Sequence, residues 1–174
     1  MPTPTYVALA KTVLTGTQAT VTFSSIASTY TDLVVLINAR GDDATDISTM
    51  YVRINGDTGA NYSYTRLFSF GTAVNSDRAG NQSNFASAGF YNASTSTSNT
   101  FSNVEFYLPS YTASIKKIIS SSSAVEINST SSGVNGAGAS LYGSTTAISS
   151  LTIVNNSGNF VSGSRFDLYG IKNS

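Results

Sequence analysis

Apolar and polar residues alternate at every second position through much of this chain. Ala19, Val21 and Phe23 are interleaved with Gln18, Thr20, Thr22 and Ser24. Met50, Val52 and Ile54 alternate with Tyr51, Arg53 and Asn55, and Val104, Phe106 and Leu108 share one parity before Pro109. Successive side chains of a strand point to opposite faces, so this pattern predicts half-buried strands. The most apolar run, Leu33-Val34-Val35-Leu36-Ile37, is aliphatic on both parities. Its β-branched residues favour a strand over a short helix. Leu33, Val35 and Ile37 then face one way and Val34 and Leu36 the other, which predicts an inner strand covered on both sides. One cover is an opposing sheet. The other is a long loop, at 71–84 or 128–137, or a second subunit. No stretch long enough for a helix carries a helical apolar period.

Further strands are predicted at 6–14, 62–70 and 85–91, within 115–127, and at 139–142, 148–154 and 165–171. Gly16-Thr17 marks a turn that would pair the first strand with 19–23 as a hairpin. Asn55-Gly56-Asp57-Thr58-Gly59 marks another, which would pair 50–54 with 62–70. Asn and Gly supply the left-handed backbone that such turns need. The polar stretches 71–84, 92–100 and 128–137 read as loops. Spacing of this kind predicts an all-β fold: one domain over 1–174, a jelly-roll-like antiparallel β-sandwich of about ten strands.

Composition narrows the function. Charged residues are 10% of the chain, against about 25% in a typical soluble protein. Lys+Arg and Asp+Glu number 9 each, so no global field draws nucleic acid or an anionic membrane. The solvating surface must therefore be built from Ser, Thr, Asn and Gly. Cys and His are both absent. That excludes thiol chemistry, disulfides, zinc sites made of Cys or His, and every triad that needs imidazole. The start, Met1-Pro2-Thr3-Pro4-Thr5-Tyr6, lacks the basic and apolar regions of a signal peptide, so an unprocessed cytoplasmic product is expected. No apolar run approaches the roughly 20 residues of a membrane span.

The remaining chemistry is sparse. Asp42, Asp43 and Asp46 could offer carboxylate oxygens to a hard cation, but without EF-hand spacing; a solvated turn is the simpler reading. No cofactor and no metal is expected. Glu105 and Glu126, the two glutamates, are the route to a small glycan hydrolase, which needs a pair of carboxylates. Tyr62, Tyr64, Phe68 and Phe70 share one face and could stack on sugar or nucleic acid, or simply fill a core. Arg53 and Arg66 are the basic residues nearby, too few for nucleic acid. Lys116-Lys117 reads as a solvated strand end or an edge guard.

Three stretches carry a resemblance. They are Val21-Thr22-Phe23-Ser24-Ser25-Ile26 with Tyr30-Thr31-Asp32-Leu33-Val34-Val35; Val52-Arg53-Ile54-Asn55-Gly56-Asp57-Thr58-Gly59-Ala60-Asn61-Tyr62-Ser63; and Arg165-Phe166-Asp167-Leu168-Tyr169-Gly170-Ile171-Lys172. Together they resemble small β-sandwich virion structural proteins of tailed bacteriophages, of the marine and cyanobacterial phage type. Between 72 and 150 the likeness is one of composition. The resemblance implies a non-enzymatic protein made in the host cytoplasm and carried on the virion. One role is a capsid decoration or cement protein that binds the major capsid protein or other virion proteins across capsomers. The alternative is a tail-associated or fibre adhesion module that binds a host-surface glycan. It implies no catalytic residue; the balanced charge and the lack of an apolar span lead to the expectation of no nucleic acid and no membrane partner. Such proteins are commonly trimeric, and Val34 and Leu36 are the residues expected at a subunit contact.

Overall fold

The computed structural model describes residues 5–82, 86–129 and 132–172, leaving aside the side chains of 86–88. The described residues form strands and no helix. Alternation has become layering. Two antiparallel sheets face each other, and the residues of one parity from each make the core.

The larger sheet contains β1 (Tyr6–Val13), β3 (Asp32–Ala39), β5 (Tyr62–Phe70), β6 (Ala73–Gln82), β8 (Ser102–Leu108), β9 (Lys117–Val125), β10 (Val134–Tyr142) and β12 (Arg165–Ile171). Its order is β1-β12-β3-β8-β9-β10-β5-β6. The smaller contains β2 (Thr20–Phe23), β4 (Ile47–Ile54), β7 (Ala86–Asn92) and β11 (Leu151–Asn155), in the order β2-β11-β4-β7. That makes 12 strands rather than about ten.

The run at 33–37 is the inner strand it was expected to be, with β12 on one side and β8 on the other. Leu33, Val35 and Ile37 are fully buried, and meet Met50, Val52 and Ile54 of β4, Val104, Phe106 and Leu108 of β8, and Phe166 and Leu168 of β12 in one core cluster. A smaller cluster, Phe90, Val125, Ile127 and Val134, fills the space where β7 meets β9 and β10. The large sheet has twice as many strands as the small one; β7 still reaches β5, and β6 extends beyond it as a ledge.

Three expectations are corrected. The turns at Gly16-Thr17 and Asn55-Gly56 do not close hairpins. β1 pairs with β12 and β2 with β11, while β4 and β5 lie in different sheets. Asn55 and Gly56 do take the left-handed backbone, with φ of 52° and 68°, and Asp57 N donates to Ile54 O across the turn at 2.9 Å. The turn is real, but the chain leaves it toward the opposite sheet. Stretch 71–84 is not a loop through its described part: Ala73–Gln82 is strand β6, joined to β5 by a two-residue turn, Gly71-Thr72. Of the stretch 128–137, residues 134–137 are strand, since β10 begins at Val134, and 130–131 lie outside the described residues. The strand foreseen at 85–91 is β7; Phe85 itself lies outside the described residues.

Candidate functional site

The acidic loop turns inward. Asp43 is buried, and its carboxylate accepts from the Tyr91 hydroxyl at 2.7 Å, from the Ser157 hydroxyl at 2.5 Å and from Asn155 Nδ2 at 3.4 Å. Its main-chain oxygen accepts from the N–H of Thr45 and from both the N–H and the hydroxyl of Ser94. Asp42 accepts from the N–H and side-chain amide of Asn159, which holds its carboxyl below the ordinary value. Asp46 accepts from Ile47 N and Thr45 Oγ1, and a Ser132 side-chain bond is the leading cause of its lowered pKa. The carboxylates thus turn to separate protein donors. No cluster of three metal-ligating residues occurs among the described residues. The solvated turn is also corrected, since Asp43 is buried. Tyr91, fully buried beneath it, has its phenol pushed far up by desolvation.

Arg40 is the residue that sequence reasoning missed here. Its guanidinium donates to the carbonyls of Ser94, Ser96, Thr97 and Thr100 and to the Thr100 hydroxyl, at 2.8–3.2 Å. The Ser/Thr stretch at 92–100 has no apolar anchor except Ala93, so nothing in its own sequence gives it a shape. One planar cation with several fixed donors gathers its carbonyls into a compact loop. The 156–164 loop is tied to the same end by Asp42 N to Asn159 O and by the reciprocal Gln18–Phe160 main-chain pair. Phe160 caps the core there against Tyr91 and Phe166, at centroid distances of 5.5 and 5.1 Å.

Lys117 is likewise not the solvated strand end expected of Lys116-Lys117. It is 1% exposed, and its ammonium donates to the carbonyls of Ala113, Ile115 and Thr145. Burial holds its pKa below the ordinary lysine value. Lys116 keeps the solvated role.

The glutamates do not form a pair. Glu105 lies opposite Ser122 on the outer side of the large sheet, and Glu126 follows the end of β9 four positions farther on. At about 3.3 Å per residue the two main-chain positions are more than 10 Å apart along the strands. Glu126 instead accepts from the N–H of Ile127 and Asn128. The aromatic stripe splits. Tyr62 is buried and stacks on Tyr142 at 5.1 Å; Phe68 packs on Phe90 at 5.0 Å; Phe70 remains 43% exposed. Between them the Arg66 guanidinium lies about 5 Å from the rings of Tyr64, Phe68 and Phe90 and forms a two-point ion pair with Asp77, at 2.6 and 2.7 Å. Only Tyr62 of the stripe is buried; Tyr64, Arg66 and Phe68 are half-buried and packed on one another and on Phe90.

Val34 and Leu36 share the outer face of β3 and have different fates. Val34 is flanked in register by Tyr169 and Tyr107, and the Tyr107 hydroxyl reaches along the face to Asp32 at 2.8 Å. Val34 is 3% exposed within the single chain, so its cover needs no second subunit. Leu36 is 37% exposed, with Asp167 and Glu105 beside it in register. Arg165 and Asp167, which are paired, line a shallow hollow with it.

The outer face of β9, β10 and β5 is an open surface of small and hydroxyl side chains. Ser120, Ser122, Ala124, Ala137, Ala139, Thr65 and Leu67 project there and are exposed. At one end lies an open trough of about 570 Å³, lined by Ser63, Thr65, Arg78, Ile118, Ala139 and Leu141 among others. No protein-family model matches the chain, and no curated protein matches it. Function is therefore argued from the residues themselves.

Proposed function

We propose that this chain is a non-enzymatic structural protein of a tailed-bacteriophage virion, a decoration protein that stabilises the head by binding across capsomers. The observation that carries the reading is the pairing pattern. Set aside the β5–β6 and β9–β10 hairpins, and eight strands remain. The first of them pairs with the eighth (β1·β12), the second with the seventh (β2·β11), the third with the sixth (β3·β8) and the fourth with the fifth (β4·β7). An antiparallel ribbon folded over on itself would give this order, which supports reading the sandwich as a jelly roll, an architecture of viral capsid and lectin domains. The association is one of fold, and fold alone does not dictate function.

Physical features of the surface support the same reading. Hydroxyls and amides solvate it, with few charges for salt to screen. The polar stretches are knit to the sandwich by Arg40, Asp43 and Lys117 rather than left as flexible loops. A decoration protein acts by binding the assembled shell and not its dissociated parts, so it stabilises the shell by mass action and needs no reacting group. Cryo-electron microscopy of particles with and without the gene product, paired with their thermal disruption, tests the proposal. Density at capsomer junctions and a lower disruption temperature on deletion are expected. Particles that lack the protein, or that disrupt at an unchanged temperature, refute it.

The trough beside Arg78 favours one second reading, a tail-borne module that binds a host glycan. Its volume lies within the roughly 300–1,000 Å³ of small-ligand sites. Glycan-array binding that is lost in Arg78→Ala, with density at the tail, would select it.

A further inference from the structure

Four strands end the two sheets, and three of them are guarded. β1 carries a bulge at Ala8/Ala10 and a lysine, Lys11. β2 is only 4 residues long. β7 is bulged opposite Met50/Tyr51 and packs down onto β8, β9 and β10. A bulge, a short strand, an edge lysine and coverage by other elements are the means by which folded proteins prevent edge pairing. β6 differs over Ala73–Ala79, ahead of the bulge at Gly80 and Asn81 where its register with β5 shifts. That stretch has no bulge, proline or lysine, although it carries Asp77 and Arg78, stands on the ledge beyond the small sheet, and packs mainly on β5. Val74, on its outer face, is 76% exposed, more than any other large apolar side chain described.

The turn fixes which main-chain groups are free. Phe70 and Ala73 flank the two-residue loop and pair in register. The residues flanking such a loop exchange both hydrogen bonds, and the bonding side then alternates along the strand. Ala73, Asn75, Asp77 and Ala79 therefore bond β5. Val74, Ser76 and Arg78 turn their N–H and C=O groups to the open edge.

We propose that β6 pairs with β6 of a second copy of this chain, antiparallel about a two-fold axis through Ser76, joining the two large sheets into one. Charge selects this register. With Ser76 opposite Ser76, Val74 lies opposite Arg78, Asn75 opposite Asp77 and Ala73 opposite Ala79. Each open-edge pair exchanges both main-chain bonds. Asn75 and Asp77 form a non-bonded pair, whose side chains approach most closely. The Asn75 amide is held only by a 3.4 Å contact to Ala73 O. Across the axis it can donate to the Asp77 carboxylate that Arg66 already orients. Shifting the register one way sets Asp77 against Asp77 or Arg78 against Arg78, and like charges directly opposite are unfavourable. Shifting it further runs into the bulged, left-handed Asn81, with φ of 52°. Shifting it the other way leaves a shorter ladder. This self-pairing is separate from the contact expected at Val34 and Leu36, of which Val34 is covered within the chain and Leu36 is 37% exposed, and it does not depend on the virion reading.

The absence of native cysteine makes the test clean. Light scattering on the wild-type protein should give a dimer. Ser76→Pro removes a main-chain N–H that faces the open edge and not β5, where proline is tolerated; it should halve the measured mass while keeping the sheet circular dichroism. Ser76→Cys should oxidise to a covalent dimer, since hydrogen-bonded partners sit about 5.5 Å apart, within disulfide reach. Thr22→Cys, on the other sheet, should not. A wild-type monomer at the highest attainable concentration overturns the proposal. So does a folded Ser76→Pro dimer, or Ser76→Cys oxidation no faster than that of Thr22→Cys.

Discussion

Two residues hold polar chain in place, and neither could be recognised from its neighbours in sequence. Arg40 sits at the end of an apolar strand and its partners lie more than 50 positions away. Lys117 looks like half of a solvated pair until the segments at 109–116 and 143–149 close around it. Alternation reports which side of a strand a residue takes, not what a distant loop brings to it. Arg40→Met should cost about 2–4 kcal/mol, because hydrogen bonds to a charged group contribute about 1.5–3 kcal/mol each and part of this site can be rescued by water. Urea denaturation measures the loss, and hydrogen exchange should show the loop at 93–100 opening first. Gly170 makes a second test. A Cβ there would lie 2.4 Å from the Tyr30 ring. Gly170→Ala should therefore cost about 1–3 kcal/mol through overpacking. The double variant with Tyr30→Ser should recover part of that cost over Tyr30→Ser alone, which calorimetry can resolve.

At the scale of elements, the strands buried on one face were legible and their partners were not. Met50, Val52 and Ile54 or Val104, Phe106 and Leu108 declare a strand because one parity must be buried. β6 declares nothing, since both of its faces are largely exposed on the ledge and no parity has to be apolar. The legible signal was its turn: Gly71 stands at the first position of a two-residue loop with φ of 57°, the place that a type II′ hairpin gives to glycine. Gly71→Val should destabilise the hairpin by about 1–2 kcal/mol, the cost of a left-handed backbone for a side-chain-bearing residue. Proteolysis within β6 should then rise without loss of the main core signal in circular dichroism. The opposite failure occurred at Asn55-Gly56, where the local turn formed but the hairpin did not. In a sandwich the chain can turn tightly and still cross to the other layer, so partner choice is decided by burial far along the sequence.

For the whole molecule, the missing histidine becomes a statement about pH. Between the carboxylates and the phenols the chain holds no side chain with an ordinary pKa near neutrality, since it has neither His nor Cys. Asp42, Asp46 and Asp57 have folded pKa values below the 3.8 of the unfolded chain; the first-named causes are Asn159, Ser132 and Gly59 donating to them. A depressed carboxylate pKa contributes stability that is complete above 3.8 and lost as pH falls through the lower folded values. Tyr62 has the opposite sign. Burial raises it from 10.0 to about 12, so its contribution is complete below pH 10 and lost as pH rises through about 12. Tyr91 shifts the same way for the same reason. Lys117, lowered by burial, works against the tyrosines, because it favours the folded state more as pH rises toward 10.5. The expected profile is a plateau from about pH 5 to 9, with an acid flank set by the loop aspartates and an alkaline flank set by buried phenols. Thermal unfolding across that range should move little, and Asp42→Asn should flatten the acid flank. A melting temperature that falls steadily between pH 5.5 and 8 would contradict this account, since the chain has no histidine or cysteine and the lowered pKa of Lys117 can only add stability as pH rises.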